Sequence, residues 1–182
     1  MTQPNALETF IARVRACWAP ISSSVVAQCR DHMTALLAAD PAEPWLAELL
    51  ESGPASRELY RDPDHGFILL AHTEHNGLYR PPHDHGRSWV VYGTQSGAIE
   101  VGTYAAIAAS DDELRLVKRD ATQLAAGQAQ AYLPGDVHDT RCSAPRTLLF
   151  RFTERDLKVE DREAGRMTRF VVGGGAWTAP RR

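Results

Sequence analysis

From about Ser56 onward this chain breaks into short β-like runs, each closed by turn-forming residues, and that texture leaves few architectures open. The predicted strands run from Gly66 to His72, Ser88 to Gly93, Ala98 to Ile107, Leu114 to Leu124, Ala129 to Leu133, Thr147 to Phe152 and Met167 to Val172. Gln95-Ser96-Gly97 reads as a hairpin turn, and Gly173-Gly174-Gly175 closes the last run. Many short antiparallel strands at such spacing predict a mostly β sandwich or barrel. The preceding residues are helical in pattern. Leu7, Phe10, Ile11, Val14 and Trp18 follow helical spacing up to Pro20, and Val25, Cys29, Met33 and Leu36 form the stripe of a second helix from Ser24 to Ala39. A third is predicted from Pro41 to Ser52, with Asp40 as its cap and Pro41 at its first helical position. The expected organisation is a helical segment over 1–55 packed on a β-barrel domain over 56–175, with a tail over 176–182.

A chain of 182 residues can bury one sizeable core, and 43% hydrophobic with 24% charged residues is ordinary for a soluble globular protein. The net charge of -3 argues against a nucleic-acid-binding surface. No apolar run approaches the ~20 residues needed to cross a bilayer, so no membrane partner is expected. The N-terminus lacks the features of a secretory signal, and Cys17, Cys29 and Cys142 are odd in number and scattered. The expectation is a cytoplasmic protein without a disulfide framework, acting as a monomer or a homodimer.

Function is carried by histidines. Arg80-Pro81-Pro82-His83-Asp84-His85-Gly86 places two imidazoles one residue apart, on one face of a strand if the segment is extended. Leu133-Pro134-Gly135-Asp136-Val137-His138 brings a third at a strand junction. Together they form a candidate metal-ligand set of His83, His85 and His138. Three neutral imidazoles without a carboxylate leave a divalent ion its full charge, which attracts an anionic, soft, bidentate ligand to the open positions. Iron(II) in such a site also binds dioxygen; zinc, nickel, manganese and copper fit the same ligands. By alternation Asp84 points away from the flanking histidines, and His32, His65, His72 and His75 lie outside the frame.

Gly77 lies six residues before His83 and Gly97 twelve after His85, and a Pro-Gly-Asp-Val-His run follows downstream. This frame resembles the two signature motifs of the cupin superfamily, which implies a cupin double-stranded β-helix, a jelly-roll barrel. Where the first cupin motif carries its glutamate ligand, this chain has Val90. Within the superfamily that three-histidine pattern is similar to the thiol dioxygenases, the cysteine dioxygenase and 3-mercaptopropionate dioxygenase group. The segment Arg57-Glu58-Leu59-Tyr60-Arg61-Asp62-Pro63 followed by Gly66-Phe67-Ile68-Leu69-Leu70 extends the likeness upstream.

The resemblance implies a mononuclear iron(II) dioxygenase that takes dioxygen and a small carboxylate-bearing thiol to a sulfinic acid. In the family register Arg57 falls where the substrate carboxylate is gripped, with Arg61 as the rival on a shifted register. Two departures stand out. The family's Ser-x-His-x-Tyr run corresponds here to Thr147-Leu148-Leu149-Phe150-Arg151-Phe152-Thr153, which has neither histidine nor tyrosine, and the cysteine that cross-links to that tyrosine in some members is replaced by Val90. Tyr104 and Tyr132 are the candidates to supply the missing hydroxyl. Trp89, Tyr92 and Cys142 read as packing residues with a possible place in the pocket wall. The alternatives are a three-histidine dioxygenase cleaving a chelating diketone or hydroxylated ring, and a non-catalytic cupin that binds a metal or small ligand.

Overall fold

A computed structural model describes residues 3–181. Three helices lead: α1 (Ala6–Cys17), α2 (Ser23–Leu37) and α3 (Pro44–Ser52). Helix α1 opens on a capping box, in which the Asn5 side chain accepts from the Glu8 amide at 2.8 Å while the Glu8 carboxylate accepts from the Asn5 amide at 3.0 Å. Helix α3 starts later than Asp40 and Pro41 predict. Glu43 occupies the N-cap and Pro44 the first turn, whereas the Asp40 side chain accepts from the Ala42 amide at 2.9 Å and so closes a turn ahead of the helix. An Asp-Pro pair signals both structures equally, and Pro44 supplies the second, better-placed start.

Eleven strands follow in two antiparallel sheets. The first sheet has the order β1 (Arg57–Arg61), β2 (Ile68–His75), β9 (Arg146–Thr153), β4 (Val90–Ser96), β7 (Ala129–Tyr132). The second has the order β10 (Val171–Gly173), β11 (Ala176–Pro180), β6 (Glu113–Ala125), β5 (Ala98–Ala108), β8 (Val137–Cys142), β3 (Tyr79–His83). The chain switches sheet at each step from β2 to β5 and from β6 to β10, with β1–β2, β5–β6 and β10–β11 as pairs within one sheet, so the two sheets roll into one barrel: a mostly β double-stranded β-helix with the helices outside. The residues predicted as a C-terminal tail are a correction. Ala176–Pro180 form β11, which pairs with β10 and β6 and buries Thr178 and Ala179. The glycine run before it makes a hairpin turn and does not end the fold. Strands β1, β3 and β8 are absent from the predicted set because each is short and polar or proline-containing, and pairing with a neighbour decides it.

The first sheet is buried on both faces. Phe67, Leu69, Ala71, Val91, Leu148, Phe150 and Phe152 point outward and pack against Phe10, Val14, Val25, Cys29, Met33, Leu46 and Leu49 of the helices. Their neighbours Val90, Tyr92 and Leu149 point inward and meet Ile99, Val101, Leu124 and Tyr132 across the barrel. Burying both faces explains why β9 reads as a near-continuous apolar run with no alternation. Cys17 and Cys29 approach to 4.0 Å between sulfurs where α1 crosses α2, and all three cysteines are free. No described helix is long and apolar enough to cross a membrane.

The predicted hairpin at Gln95–Gly97 is instead a crossover: it joins β4 of the first sheet to β5 of the second, and the two strands pair with other neighbours. Gly97 makes that turn with φ +79°, and a β-carbon there would clash with the Arg146 carbonyl oxygen. Gly97→Ala is therefore expected to cost about 2 kcal/mol or more and lower the melting temperature by roughly 4–8 °C; an unchanged melting curve would contradict this account of the turn.

Candidate metal centre

Strand pairing brings the three histidines together. His83, the last residue of β3, stands directly opposite His138 on β8, whose other neighbour is Thr103 on β5. His85 follows two residues later, outside the strand, where the chain turns with the Ser88 amide donating to the His85 carbonyl at 3.1 Å. Asp84 holds that turn. Its Oδ1 accepts from the Gly86 amide at 3.0 Å and from the Thr168 amide at 2.8 Å, tying the loop to the C-terminal segment. Its carboxylate thus has a structural task.

The imidazole centroids lie 5.1 Å (His83–His85), 5.0 Å (His83–His138) and 4.9 Å (His85–His138) apart. One nitrogen from each falls within 4.8 Å of the others, so a single ion can reach all three. His83 Nδ1 is 2.8 Å from the Pro81 carbonyl, which can only accept; Nδ1 must donate, leaving the Nε2 lone pair free. Inside the barrel, His85 Nδ1 and both nitrogens of His138 are buried without a hydrogen-bond partner. Buried polar atoms without partners are costly, and a cation between the rings removes that cost for the nitrogens facing it. The residues therefore fit a metal. No carboxylate joins the cluster among the described residues, and Val90, at the position of the cupin glutamate, is fully buried in the apolar inner wall.

Desolvation lowers the proton affinity of all three. Burial holds the His83 imidazole below its ordinary value, holds His85 well below, and takes His138 down to about 3, with the nearby Arg151 guanidinium adding to the effect on His83 and His85. At neutral pH all three present lone pairs and no charge, the state a metal needs.

Around them the wall is aromatic. The Tyr132 ring lies 4.3 Å from the His138 ring, and its hydroxyl is buried without a partner. The Tyr92 hydroxyl is 3.4 Å from His85 Nε2. Burial raises both phenols above their ordinary range, so both remain O–H donors. Tyr104 is elsewhere: its hydroxyl donates to Asp139 at 2.6 Å, beside the Tyr79 hydroxyl at 2.9 Å, on the side of β8 opposite His138. Arg57 is also outside. It pairs with Ala71, whose side chain faces the helices, and its guanidinium donates to Glu48 of α3 at 2.7 Å. A one-residue shift of register moves a strand side chain to the other face, and that decides Arg57. Arg61 is held by Glu58 and Asp156. Cys142 packs, its thiol against the Thr147 hydroxyl.

The histidines open into a cavity of about 520 Å³ lined by His83, His85, Arg80, Arg151, Arg169 and Phe170, among others. Arg151 went unrecognised in the sequence because β9 lacks visible alternation; the signal is its place two residues after the inward-facing Leu149. His72, set aside in the sequence, is also buried, with a partnerless Nε2 and a pKa taken down to about 3 by burial and by the nearby Arg151 and Arg80.

No family model and no curated protein matches the sequence. Solved structures similar to this chain include the cupin domain of Schizosaccharomyces pombe Cnp3 (12% identity, 61% of this chain and 66% of that one, TM-score 0.44). KdgF from Halomonas sp. is similar at 19% identity over 56% of this chain and 78% of that one, TM-score 0.42. The capsular polysaccharide assembling protein CapF from Staphylococcus aureus matches at 13% identity over 64% of this chain and 32% of that one, TM-score 0.48.

Two outcomes follow from this geometry. His138→Ala is expected to lose metal affinity by more than the ~10–100-fold that loss of a merely supporting contact costs; unchanged metal content by elemental analysis would remove His138 from the ligand set. For the metal-free protein, His72 and His138 have folded-state values depressed below the unfolded value of about 6.5. Between those limits the unfolded chain binds more protons, so stability is unaffected above about pH 6.5 and falls as pH drops toward 3. Each of the two contributes up to ~1.4 kcal/mol per pH unit. Urea midpoints at pH 7 and pH 4.5 check this, and equal midpoints would contradict it.

Proposed function

We propose that this protein is a mononuclear non-haem iron dioxygenase that converts a small carboxylate-bearing thiol and dioxygen to the sulfinic acid. The single observation that carries the reading is the face of three uncharged imidazoles, His85 and His138 buried and His83 half-buried, with no carboxylate among them, opening on a cavity lined by guanidinium groups. A face of that kind binds a divalent ion without reducing its charge and leaves the opposite positions for two ligands.

Iron(II) held there would supply a meeting point for thiolate and dioxygen, and the redox chemistry that passes both oxygen atoms to sulfur. The balance is one thiol and one dioxygen to one sulfinic acid, with no other reductant. The chain's own residues set the conditions. The Pro81 carbonyl orients His83 through its Nδ1 proton. Val90, Ile99 and Leu149 give a dry apolar wall that keeps water from competing. Tyr132, behind the cavity lining, keeps its proton on a buried hydroxyl with no partner of its own next to His138, and so is the donor available to an atom bound among the three imidazoles. It takes the place of the tyrosine that β9 lacks.

One observation favours a second reading. With neither histidine nor tyrosine in the Thr147–Thr153 run, the same three-histidine face would suit cleavage of a chelating dicarbonyl, or metal and ligand binding without turnover. Oxygen uptake by the iron-loaded protein across a panel of small thiols and a diketone separates these. The expected result is uptake with a carboxylate thiol, one dioxygen consumed per sulfinic acid detected by mass spectrometry. Uptake with the diketone alone would assign carbon–carbon cleavage, and a silent panel with metal intact would assign a binding protein.

A further inference from the structure

We infer that Arg151, and not Arg57, holds the anionic end of whatever ligand binds at the three histidines, so that the pocket selects molecules carrying a carboxylate beside their metal-binding donor. The inference deepens the proposed function and rests on its three-histidine pocket, but the observations behind it are separate ones.

The barrel interior behind the histidines receives His72 and Glu74 from β2, Arg80 from β3, Tyr92 from β4 and Arg151 from β9. Glu74 is buried and ion-paired to Arg80, so those two charges cancel. His72 is uncharged at neutral pH, for the reasons given above. At the rim, Arg169 is held by both oxygens of Asp161 at 2.5 and 2.7 Å, and Lys158 and Arg162 lie exposed to solvent, which screens them. Arg151 alone is left over. It is half-buried, lines the cavity with His83 and His85, and makes no salt bridge among the described residues. The neutral Tyr92 stands beside it on the next strand, and the Arg151 Nε is fully buried with no hydrogen-bond partner.

A guanidinium cannot shed its proton, so burying one without an anion is unfavourable unless something supplies the missing charge. Strand register puts that charge beside the site. Arg151 stands between Leu70 and Tyr92, and the Tyr92 ring lies 5.6 Å from His138. The planar fork of a guanidinium matches a carboxylate through two parallel hydrogen bonds. A divalent ion and Arg151 together carry three positive charges, and a thiolate with a carboxylate returns two negative ones. An amine in place of the carboxylate would add a fourth positive charge to the cavity and be rejected.

The test uses iron(II)-loaded protein under anaerobic conditions, titrated with 3-mercaptopropionate and with 2-mercaptoethylamine and followed by thiolate-to-metal absorption. Wild type is expected to bind the carboxylate thiol at least about tenfold more tightly than the amine. Arg151→Gln is expected to keep its metal and lose that preference; Arg151→Lys to keep part of it; Arg57→Gln to change nothing. Equal affinity of the two thiols for wild type, or an unaltered preference in Arg151→Gln, overturns the inference. Should Arg151→Gln fail to fold, Arg151→Lys decides, since full retention of affinity there excludes a bidentate grip. Should neither thiol give an absorption band, the thiol reading fails by itself. Propionate then decides the anion site: a rise in wild-type melting temperature that Arg151→Lys diminishes supports it, and no rise in wild type refutes it.

Discussion

Three imidazoles buried within 5.1 Å of one another set the terms for everything around them. Charged, they would repel each other in a medium that screens poorly, so the fold admits them only as neutral bases. Neutral, they still carry lone pairs that the dry wall of Val90, Ile99 and Leu149 cannot satisfy. The site is therefore costly as a purely structural feature, and its cost falls when a cation sits between the rings. Among the described residues the other buried polar side-chain atoms without partners belong to His72, Thr73, Glu74, Tyr132, Arg151 and Thr153, all on strands of the first sheet.

What positions the rings is the pairing of β3 with β8, and what keeps that pair in place is a sheet with two different apolar faces. Sheet one turns Leu69 and Ala71 of β2 and Phe150 and Phe152 of β9 toward the three helices and the intervening residues inward. The helices are consequently part of the barrel's stability and not an appendage. A change at Phe150 or Met33 would be felt on the inward neighbours Leu149 and Arg151 through one backbone. The C-terminal segment closes the mouth from the other side. Buried Glu160, on a single π-helical turn (Val159–Glu163), binds Arg155, Arg166 and the Arg87 amide, and the Phe170 amide donates to the Pro82 carbonyl beside His83.

Much of this was legible in the sequence. The β-rich texture, the leading helices and the His83, His85, His138 triplet all appear there, because turn residues and the spacing of rare side chains are local signals. Three things were not. Asp40-Pro41 and Glu43-Pro44 each satisfy the rules for a helix start, and only the packing of Leu46 and Leu49 chooses between them. The tail became β11 because β6 offered an unpaired edge, a fact outside any short window. Arg57 was misplaced by one face: a family register matched by spacing fixes position along a strand, whereas the side a residue faces depends on the bulge between Glu58 and Tyr60 and on pairing with β2.

The exchange of Arg57 for Arg151 changes the chemical picture more than the identity of one residue suggests. An anchor on β1 would approach from the sheet edge, beyond β2; one on β9 stands in the middle of the sheet, two strands from either edge and adjacent to Tyr92. The β9 run has neither histidine nor tyrosine over Thr147–Thr153 but carries a fixed positive charge, Arg151, beside Tyr92. Such a charge favours an anion in the ground state as well as along the reaction, and so works mainly through binding. In the proposed reaction the proton-holding task falls to Tyr132, which belongs to β7 and stacks near His138. Anchor and donor lie on strands flanking β4, so a ligand held between them is bound to face the three imidazoles, which is the orientation a chelating substrate needs.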